Sequence, residues 1–358
     1  MDSNDIALKD NSSFDNRLSQ LGVSTKKSFK VKTSGFILPE AAKGWIALIP
    51  ALIFLVVFML YPIINTFVMS FCNNFYWVGN SNSSFVLTNF FAAQKNVRGG
   101  VKLSWGFENY LRIFQDPIFW AAFGNTWLIV LVSVPLTIIV GLLIAVALHS
   151  IKPLQGFYQT VFFLPYVTNS IALGMVFNAM FSSSAGSFIN TLTSIFGIGA
   201  QDWLGITASK WSMFFVIVVY SIWNGIAFKI LVFMSGLSSI DKQYYDAARI
   251  DGASKKTIFC RISVPLISPQ ILYITITSFI GAFKSYSQII SLFSKGAKNF
   301  GGSDGNTWIT VVGYIVKLID STADSAQGRG AAGCVILLIV VLIITAVQFL
   351  VSKKRVHY

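Results

Sequence analysis

Charged residues are scarce in this sequence. Only 11% of its 358 residues are Asp, Glu, Lys or Arg, whereas a soluble domain carries about 25%. Hydrophobic residues make up 54% of the chain, and its mean hydropathy is +0.66. Because so little charge is available to face water, we expect an integral membrane protein.

Cysteine and histidine are also rare. The three cysteines, Cys72, Cys260 and Cys334, lie far apart, and the only histidines are His149 and His357. Metal sites formed by these residue types show short, characteristic spacings, and none occurs here. The sequence therefore predicts no metal site, and we interpret the cysteines as buried thiols.

Acidic residues are outnumbered by basic ones, 14 against 27, which gives a net charge of +13. A nucleic-acid-binding protein gathers its basic residues into a patch. Here they lie in short segments between long apolar runs, as in membrane proteins. The partner we expect is a lipid bilayer and not a nucleic acid.

Six apolar stretches are long enough to cross a bilayer, which takes about 20 residues. The sequence thus predicts an all-α, polytopic membrane protein with six transmembrane helices. The stretches are Trp45 to Phe71, Ile118 to Leu148, Thr160 to Phe181, Trp211 to Gly236, Ser263 to Ile290 and Ala331 to Val351.

The basic residues also predict the orientation, because cytoplasmic connections are enriched in Lys and Arg. With both termini inside, the inner segments hold 16 basic residues and the outer loops 9, while Lys229 and Lys284 fall within spans. We therefore expect residues 1–44 to form a cytoplasmic tail, residues 45–351 a six-span domain, and residues 352–358 a basic cytoplasmic tail. Residues 237–262, here named loop 237–262, face the same side.

Loop 237–262 has the pattern of two short helices joined by a turn. Gly252 tolerates the left-handed angles that end a helix, and Ser254 is a favourable cap for the helix that follows. One face of the first helix holds Ile240, Tyr244, Ala247 and Ala248, and one face of the second holds Ile258, Phe259 and Ile262. This periodicity alone fits an ordinary amphipathic connector on the bilayer equally well.

The spacing within this loop resembles the motif that defines permeases of ATP-binding-cassette importers. That motif reads E-A-A, three residues, G, nine residues, I, one residue, L-P. The residues that match it are Ala247, Ala248, Gly252, Ile262 and Pro265. Two positions depart from it conservatively, since Asp246 replaces Glu and Val264 replaces Leu.

Other segments resemble the carbohydrate branch of this family, the maltose-type and glycerol-3-phosphate-type importers. The likeness runs from about Trp45 to the end of the chain. The first outer loop is far shorter than the folded insert of the larger maltose-type subunit. The matching segments are Phe107-Glu108-Asn109-Tyr110, Phe163-Leu164-Pro165, Trp203-Leu204, Asp251-Gly252-Ala253 and Gly301-Gly302.

This resemblance implies the type I importer permease fold in a bacterial cell membrane, with alternating access as its mechanism. It implies a second homologous permease, two ATPase subunits and an extracytoplasmic solute-binding protein as partners. ATP and Mg would be bound by the ATPase subunits, and this sequence indeed lacks a G-x-x-x-x-G-K-S/T phosphate loop. The ATPase-coupling residues would be Asp246, Ala247, Ala248, Asp251, Gly252 and Ala253.

Polar residues within the spans are candidates for a pathway that carries a neutral or acidic sugar. Each fits a second interpretation equally well, because polar side chains also hydrogen-bond between membrane helices. The lysines fit a third one, snorkelling to the interface. The candidates are Asn169, Ser170, Asn178, Asn224, Lys229, Lys284, Tyr286 and Gln288.

An ion-coupled secondary transporter is the main alternative. Such carriers place ionisable relay residues inside the bilayer, but none of the 14 acidic residues falls within the six stretches. A membrane-assembly factor is a third class, and it leaves the pattern of loop 237–262 unexplained. The sequence therefore favours the importer permease.

Overall fold

The computed structural model describes residues 39–73, 104–151, 155–293, 299–321 and 326–352. The chain divides into two units, Met1–Met59 and Leu60–Tyr358. In the first unit, α1 (Glu40–Leu55) leads into a π-helical turn at Val56–Leu60. Most of the predicted N-terminal tail, the C-terminal tail after residue 352 and much of the first outer loop lie outside the described residues.

Helices dominate the described part of the second unit. Its one short sheet pairs β1 (Cys72–Asn73) with β2 (Ser104–Trp105) in antiparallel register, with Cys72 opposite Trp105. The helices are α2 (Tyr61–Ser70), α3 (Glu108–Gln115), α4 (Pro117–Ser150), α5 (Gln155–Val167), α6 (Ser170–Met180), α7 (Phe188–Ser194), α8 (Lys210–Ser238), α9 (Lys242–Ile250), α10 (Lys255–Ile258), α11 (Val264–Leu266), α12 (Ser268–Phe283), α13 (Ser287–Leu292), α14 (Val311–Ile319) and α15 (Ala326–Ser352).

Four helical stretches in the described residues are long and apolar enough to cross a membrane, and two bent pairs pass the same test. The all-α fold class is therefore confirmed. The four stretches are Ala42–Ser70, Pro117–Ser150, Lys210–Ser238 and Ala326–Ser352. The bent pairs are Gly156–Val167 with Ser170–Met180, at 97°, and Lys255–Leu266 with Ser268–Phe283, at 67°.

Two of the predicted spans are not continuous helices. The stretch 160–181 bends before Asn169, whose side chain accepts a hydrogen bond from Ile171 N (2.8 Å) and so starts a new helix. The stretch 263–290 bends at Ile267 and leaves the helix after Phe283. The last helix begins at Ala326 instead of Ala331.

The cysteines are not alike. Cys72 is buried and Cys334 half-buried, but Cys260 is exposed in a π-helical turn at Phe259–Ser263, so its interpretation as a buried thiol is wrong. Burial raises the pKa of Cys72 to about 11, which keeps that thiol protonated at neutral pH.

The pairing of α4 with α8 is the centre of the fold. The side of α4 that is buried carries small residues at intervals of four, Ser133, Thr137, Gly141 and Ala145. Small side chains let two membrane helices approach closely. Ala145 accordingly packs in one apolar cluster with α8 side chains that include Phe233.

Side-chain hydrogen bonds join α4 to segment 299–310 and to the first residue of α14. Asn125 Nδ2 donates to the carbonyl oxygens of Thr307 (3.0 Å) and Ile309 (3.1 Å). Thr126 Oγ1 accepts from Val311 N (3.0 Å). Irregular backbone in this region thus has its polar groups satisfied within the protein, as an apolar surrounding demands.

Asn190 on α7 is the centre of a second buried network. Its Nδ2 donates to the carbonyl oxygens of Ser182 (3.2 Å), Ser184 (3.1 Å) and Gln201 (3.0 Å). Its Oδ1 accepts from Gln201 N (3.1 Å) and Trp203 Nε1 (2.9 Å). One side chain, 1% exposed, therefore folds the loop between α6 and α8.

We expect Asn190→Asp to destabilise the protein by roughly 3 kcal/mol, because three buried carbonyls lose their donor and face an anion instead. The measurement is the thermal unfolding midpoint of the detergent-purified complex. Ser194→Ala is the matched control, since this exposed hydroxyl on the same helix bonds only to Thr191 O. Equal midpoints for the two variants would contradict the network's role.

Candidate functional site

The first helix of loop 237–262, α9, begins later than its apolar pattern suggested. Asp241 is its cap, with Oδ1 accepting from Gln243 N (2.9 Å). Ile240 therefore precedes the helix and does not belong to its face, which corrects the prediction. The local reason is that an Asp side chain satisfies the free N–H groups of a first helical turn.

The predicted turn at Gly252 is confirmed. Gly252 has φ of +72°, its N–H donates to Arg249 O (3.1 Å), and Ala253 N donates to Ala248 O (2.9 Å). These two bonds form a Schellman motif, in which glycine ends a helix in the left-handed region. Ser254 then caps α10 by accepting from Thr257 N (3.2 Å), also as predicted.

The inner side of α9 packs on the protein. Ala248 is 8% exposed, and the hydroxyl of half-buried Tyr245 lies 3.3 Å from Ser263 Oγ. Ser263 is buried at the end of the π-helical turn that precedes α11 and α12. The Tyr245 side chain therefore joins α9 to the next bent helix pair.

The outer side of α9 is exposed and partly apolar. Tyr244 is 56% exposed and Ile250 87% exposed, and Ala247 is exposed as well. Ala247 and Ala248 thus lie on different sides, contrary to the predicted common face, because successive helical residues are about 100° apart. Sequence reasoning missed Ile250, although its position three residues after Ala247 places it on the same side.

The acidic residues of the loop are accessible. Asp246 lies 3.5 Å from Arg249, and their side chains are 48% and 71% exposed. An ion pair so open to water contributes little, so the Asp246 carboxylate is available to another protein. Asp251 is exposed, and Ala253 is half-buried.

A second candidate site is a cavity of about 190 Å³ lined by α4, α8, α12 and α13, here named the polar cavity. It brings together Asn224, Lys229 and Gln288, three of the predicted pathway residues. Gln288 Nε2 donates to Asn224 Oδ1 (3.2 Å). Sequence reasoning missed five further polar residues of the lining, although the spacing of Ser133 with Thr137 and of Ser221 with Asn224 indicates shared helix faces. They are Ser133, Thr137, Ser221, Ser278 and Ser285.

Lys229 is the charged residue of the polar cavity. It is 8% exposed, and its Nζ donates to Gly225 O (3.1 Å). No Asp or Glu is among the residues that line the cavity. Across the described residues, no group of three or more His, Cys, Asp or Glu is arranged to hold a metal ion.

Three other pathway candidates lie around the first bent pair. Asn169 caps α6 and is exposed, and the carbonyl of Ser170 accepts from Tyr220 OH (2.7 Å). Asn178 Nδ2 donates to Leu292 O (2.5 Å), which joins α6 to α13. None of the three lines the polar cavity.

Lys284 and Tyr286 lie beyond the end of α12 and are also absent from the lining of the polar cavity. Lys284 is exposed. The half-buried ring of Tyr286 packs against Phe300, with centroids 6.1 Å apart. The structure therefore separates the two lysines that the sequence places within spans.

Comparison with known proteins gives one consistent family. Residues 137–357 match the family described as "Binding-protein-dependent transport system inner membrane component". The lactose transport permease LacF of Rhizobium radiobacter is 30% identical over 314 residues, covering 87% of this chain and 94% of the relative. The arabinooligosaccharide permease AraP of Halalkalibacterium halodurans is 28% identical, with 91% and 92% covered. The trehalose/maltose permease MalF of Thermococcus litoralis is 28% identical, with 88% and 95% covered.

Solved structures show the same fold. A chain of a bacterial ABC transporter involved in the import of the acidic polysaccharide alginate matches with a TM-score of 0.69 and 19% identity, covering 87% of this chain and 96% of that one. A chain from that type of transporter in complex with an alginate pentasaccharide-bound periplasmic protein matches with a TM-score of 0.70. At this identity the likeness concerns the fold alone. With the type I permease fold and a family match over more than half of its length, the chain belongs to the inner-membrane components of binding-protein-dependent transport systems, the permeases of ATP-binding-cassette importers.

Proposed function

We propose that this chain is the membrane-spanning subunit of an ATP-driven importer of sugars or oligosaccharides, acting with a second, similar permease. The observation that carries the proposal is the match to permeases named for lactose, arabinooligosaccharides and trehalose/maltose, which extends over 87% to 91% of this chain. The aligned length is large enough to include both loop 237–262 and the polar cavity. No relative supports the alternative of an ion-coupled transporter.

Loop 237–262 is the surface we assign to the ATPase subunit. The exposed side chains of Tyr244 and Ile250 flank Ala247, whose small side chain allows a partner to come close. Asp246 lies beside them and offers a carboxylate for a charge-assisted hydrogen bond with a basic residue. Gly252, with Asp251 and Ala253 beside it, sets the direction in which the chain leaves α9.

The contacts of α9 explain how movement of this loop would reach the transport pathway. Its inner residue Tyr245 contacts Ser263 in the segment that leads into α12, and α12 supplies Ser278 to the polar cavity. When ATP and Mg bind to the two ATPase subunits and these close, the pull on α9 is passed to α12. Alternating access of the cavity to the two sides of the membrane follows from that displacement.

The delivery of solute belongs to the other side of the membrane. A solute-binding protein would present the sugar to the outer loops, while both termini and loop 237–262 face the cytoplasm of a bacterial cell. The excess of basic residues in the inner connections supports this orientation. In this arrangement the chain hydrolyses no ATP itself.

The orientation predicts opposite labelling of two single cysteines, Lys256→Cys and Asn82→Cys, in a background that lacks Cys72, Cys260 and Cys334. With a membrane-impermeant maleimide on intact cells, we expect label at position 82 and none at position 256. Permeabilised cells, lacking the ATPase subunits, serve as the control in which both positions react. Labelling of position 256 from outside would reverse the proposed topology.

Asp246→Lys should uncouple ATP hydrolysis from solute binding, because it places a cation against a basic ATPase surface. The complete complex in nanodiscs, with its solute-binding protein and a panel of neutral and acidic saccharides, is expected to show ATPase activity that at least one saccharide stimulates. The lost charged hydrogen bond corresponds to about 2 kcal/mol, or a reduction of roughly thirtyfold.

Arg249→Gln is the matched control for Asp246→Lys, because it removes the neighbouring charge of the exposed pair and leaves Asp246 in place. We expect stimulation to persist in this variant. Normal stimulation in Asp246→Lys would take Asp246 out of the interface. A wild-type complex that no saccharide stimulates would refute the sugar-importer proposal itself.

Gly252 should tolerate Asn but not Val. A Cβ atom at this position would meet no other atom within 4 Å, so the restriction lies in the backbone, with φ of +72°. Asn enters the left-handed region readily, whereas β-branched residues rarely do. We expect stimulated ATPase activity near wild type for Gly252→Asn and a loss of tenfold or more for Gly252→Val. Equal activity in both variants would show that coupling does not need this turn.

A further inference from the structure

The polar cavity contains a positive charge that no described residue of this chain neutralises. Lys229 is 8% exposed, and its hydrogen-bond partner among the described residues is a single backbone carbonyl, Gly225 O at 3.1 Å. No carboxylate lines the cavity. A buried charge is costly unless it is paired, so an unpaired lysine retained here requires an explanation.

Snorkelling does not explain Lys229. The nearer end of α8 is its C-terminus at Ser238, and a snorkelling lysine extends toward the nearer interface. Its Nζ instead bonds to the carbonyl of Gly225, one turn toward the N-terminus of the helix and so away from that end. The side chain is directed further into the membrane region.

The helix packing is shaped around this side chain. A Cβ atom at Gly141 on α4 would lie 3.1 Å from Lys229 Cβ, and a Cβ atom at Gly225 would lie 3.2 Å from Lys229 Nζ. Both distances are tighter than almost all real contacts of a Cβ atom. The absence of side chains at Gly141 and Gly225 therefore provides the room that the stem and the ammonium group occupy.

Hydrogen-bond donors that have no partner among the described residues line the same cavity as the ammonium group. Lys229 has three N–H donors and uses one of them in the described structure. The hydroxyls of Ser133 and Ser278, which line the same cavity, have no hydrogen-bond partner among the described residues. Asn224 accepts through Oδ1 from Gln288, and its Nδ2 likewise has no described partner. The cavity thus offers hydrogen-bond donors and a positive charge, a combination that favours the binding of an anionic hydrogen-bond acceptor.

We propose that the polar cavity is a subsite for an oxyanion of the transported saccharide, either a carboxylate or a phosphate, and that the importer therefore carries acidic sugars. Lys229 pairs with the oxyanion, while Ser133, Ser278 and Asn224 donate hydrogen bonds to its oxygens. This inference rests on the proposed sugar-importer function and narrows its substrate class.

The test uses the complete complex in nanodiscs with its solute-binding protein, and the readout is saccharide-stimulated ATPase activity. The acidic probes are digalacturonate for a carboxylate and trehalose 6-phosphate for a phosphate, and the neutral probes are lactose and trehalose. We expect at least one acidic probe to stimulate the wild type, and the probe that does so identifies the source of the oxyanion. Lys229→Gln should raise the half-maximal concentration of that probe tenfold or more, the size of one charged hydrogen bond, while binding to the solute-binding protein stays unchanged.

Three comparison variants make the result specific. Lys229→Arg keeps the charge and should keep the response to the acidic probe. Lys284→Gln removes the other lysine predicted within a span, which lies outside the cavity lining, and should not reproduce the effect of Lys229→Gln. Ser133→Ala with Ser278→Ala leaves the charge and the helix contacts intact. It should raise the half-maximal concentration several-fold even if Lys229→Gln fails to fold.

The outcomes separate the alternatives. A wild type stimulated only by lactose or trehalose, or an acidic response unchanged in Lys229→Gln, overturns the acidic-sugar subsite while the sugar-importer function stands. Dissociation of the second permease from the Lys229→Gln complex on size exclusion also overturns it, because the lysine then pairs with a carboxylate of that partner. If neither acidic nor neutral saccharides stimulate the wild type, the sugar-importer function itself fails.

Discussion

The close approach of α4 and α8 is the constraint on which the rest of the second unit depends. One side of α4 carries only small side chains at four buried positions, so α8 can pack closely along it. These positions are Ser133, Thr137, Gly141 and Ala145. Between lipid-exposed helices there is little hydrophobic driving force, and stability comes from this fit and from interhelical polar contacts. The same fit leaves the room in which Lys229 reaches the polar cavity. The four small side chains that allow the close helix packing therefore also determine where the charge of Lys229 can be buried.

The irregular segments are held by the rule that polar backbone groups must find partners inside the protein when water is absent. The side-chain amide of Asn125 donates to two carbonyls of segment 299–310. The side-chain amide of Asn190 donates to three carbonyls of the loop before α8. Tyr314 adds a hydrogen bond to Asp116 (2.7 Å), and its burial, together with that bond, raises the pKa of the phenol. These side chains make the loop before α8 and segment 299–310 part of the folded scaffold.

Loop 237–262 and the polar cavity are joined by a short physical path. The Tyr245–Ser263 contact and the buried methyl of Ala248 anchor α9 on the protein, and the bent pair that follows runs directly into the cavity through α12. The 67° bend between the two parts of this pair means that the loop and the cavity lie on differently inclined segments. In the mechanism proposed above, a small rotation at the bend would become a lateral displacement of α12.

The sequence by itself determined the features that depend on neighbouring residues or on composition. Long apolar stretches predict membrane helices because about 20 apolar residues are needed to cross the bilayer, whatever they pack against. The Gly252 turn and the Ser254 cap form through hydrogen bonds between residues at most five positions apart. The resemblance to the family motif predicts an ATPase-coupling role for loop 237–262. Only the tertiary structure decided the rest. It separated Ala247 from Ala248, bent two of the predicted spans, and selected Asn224, Lys229 and Gln288 from eight polar candidates. Whether a buried polar side chain faces a cavity or joins two helices depends on residues far away in the chain. Ser133 lines the same cavity as Lys229, and the carbonyl of Leu292 accepts a hydrogen bond from Asn178. Periodicity within one helix carries no information about such distant residues.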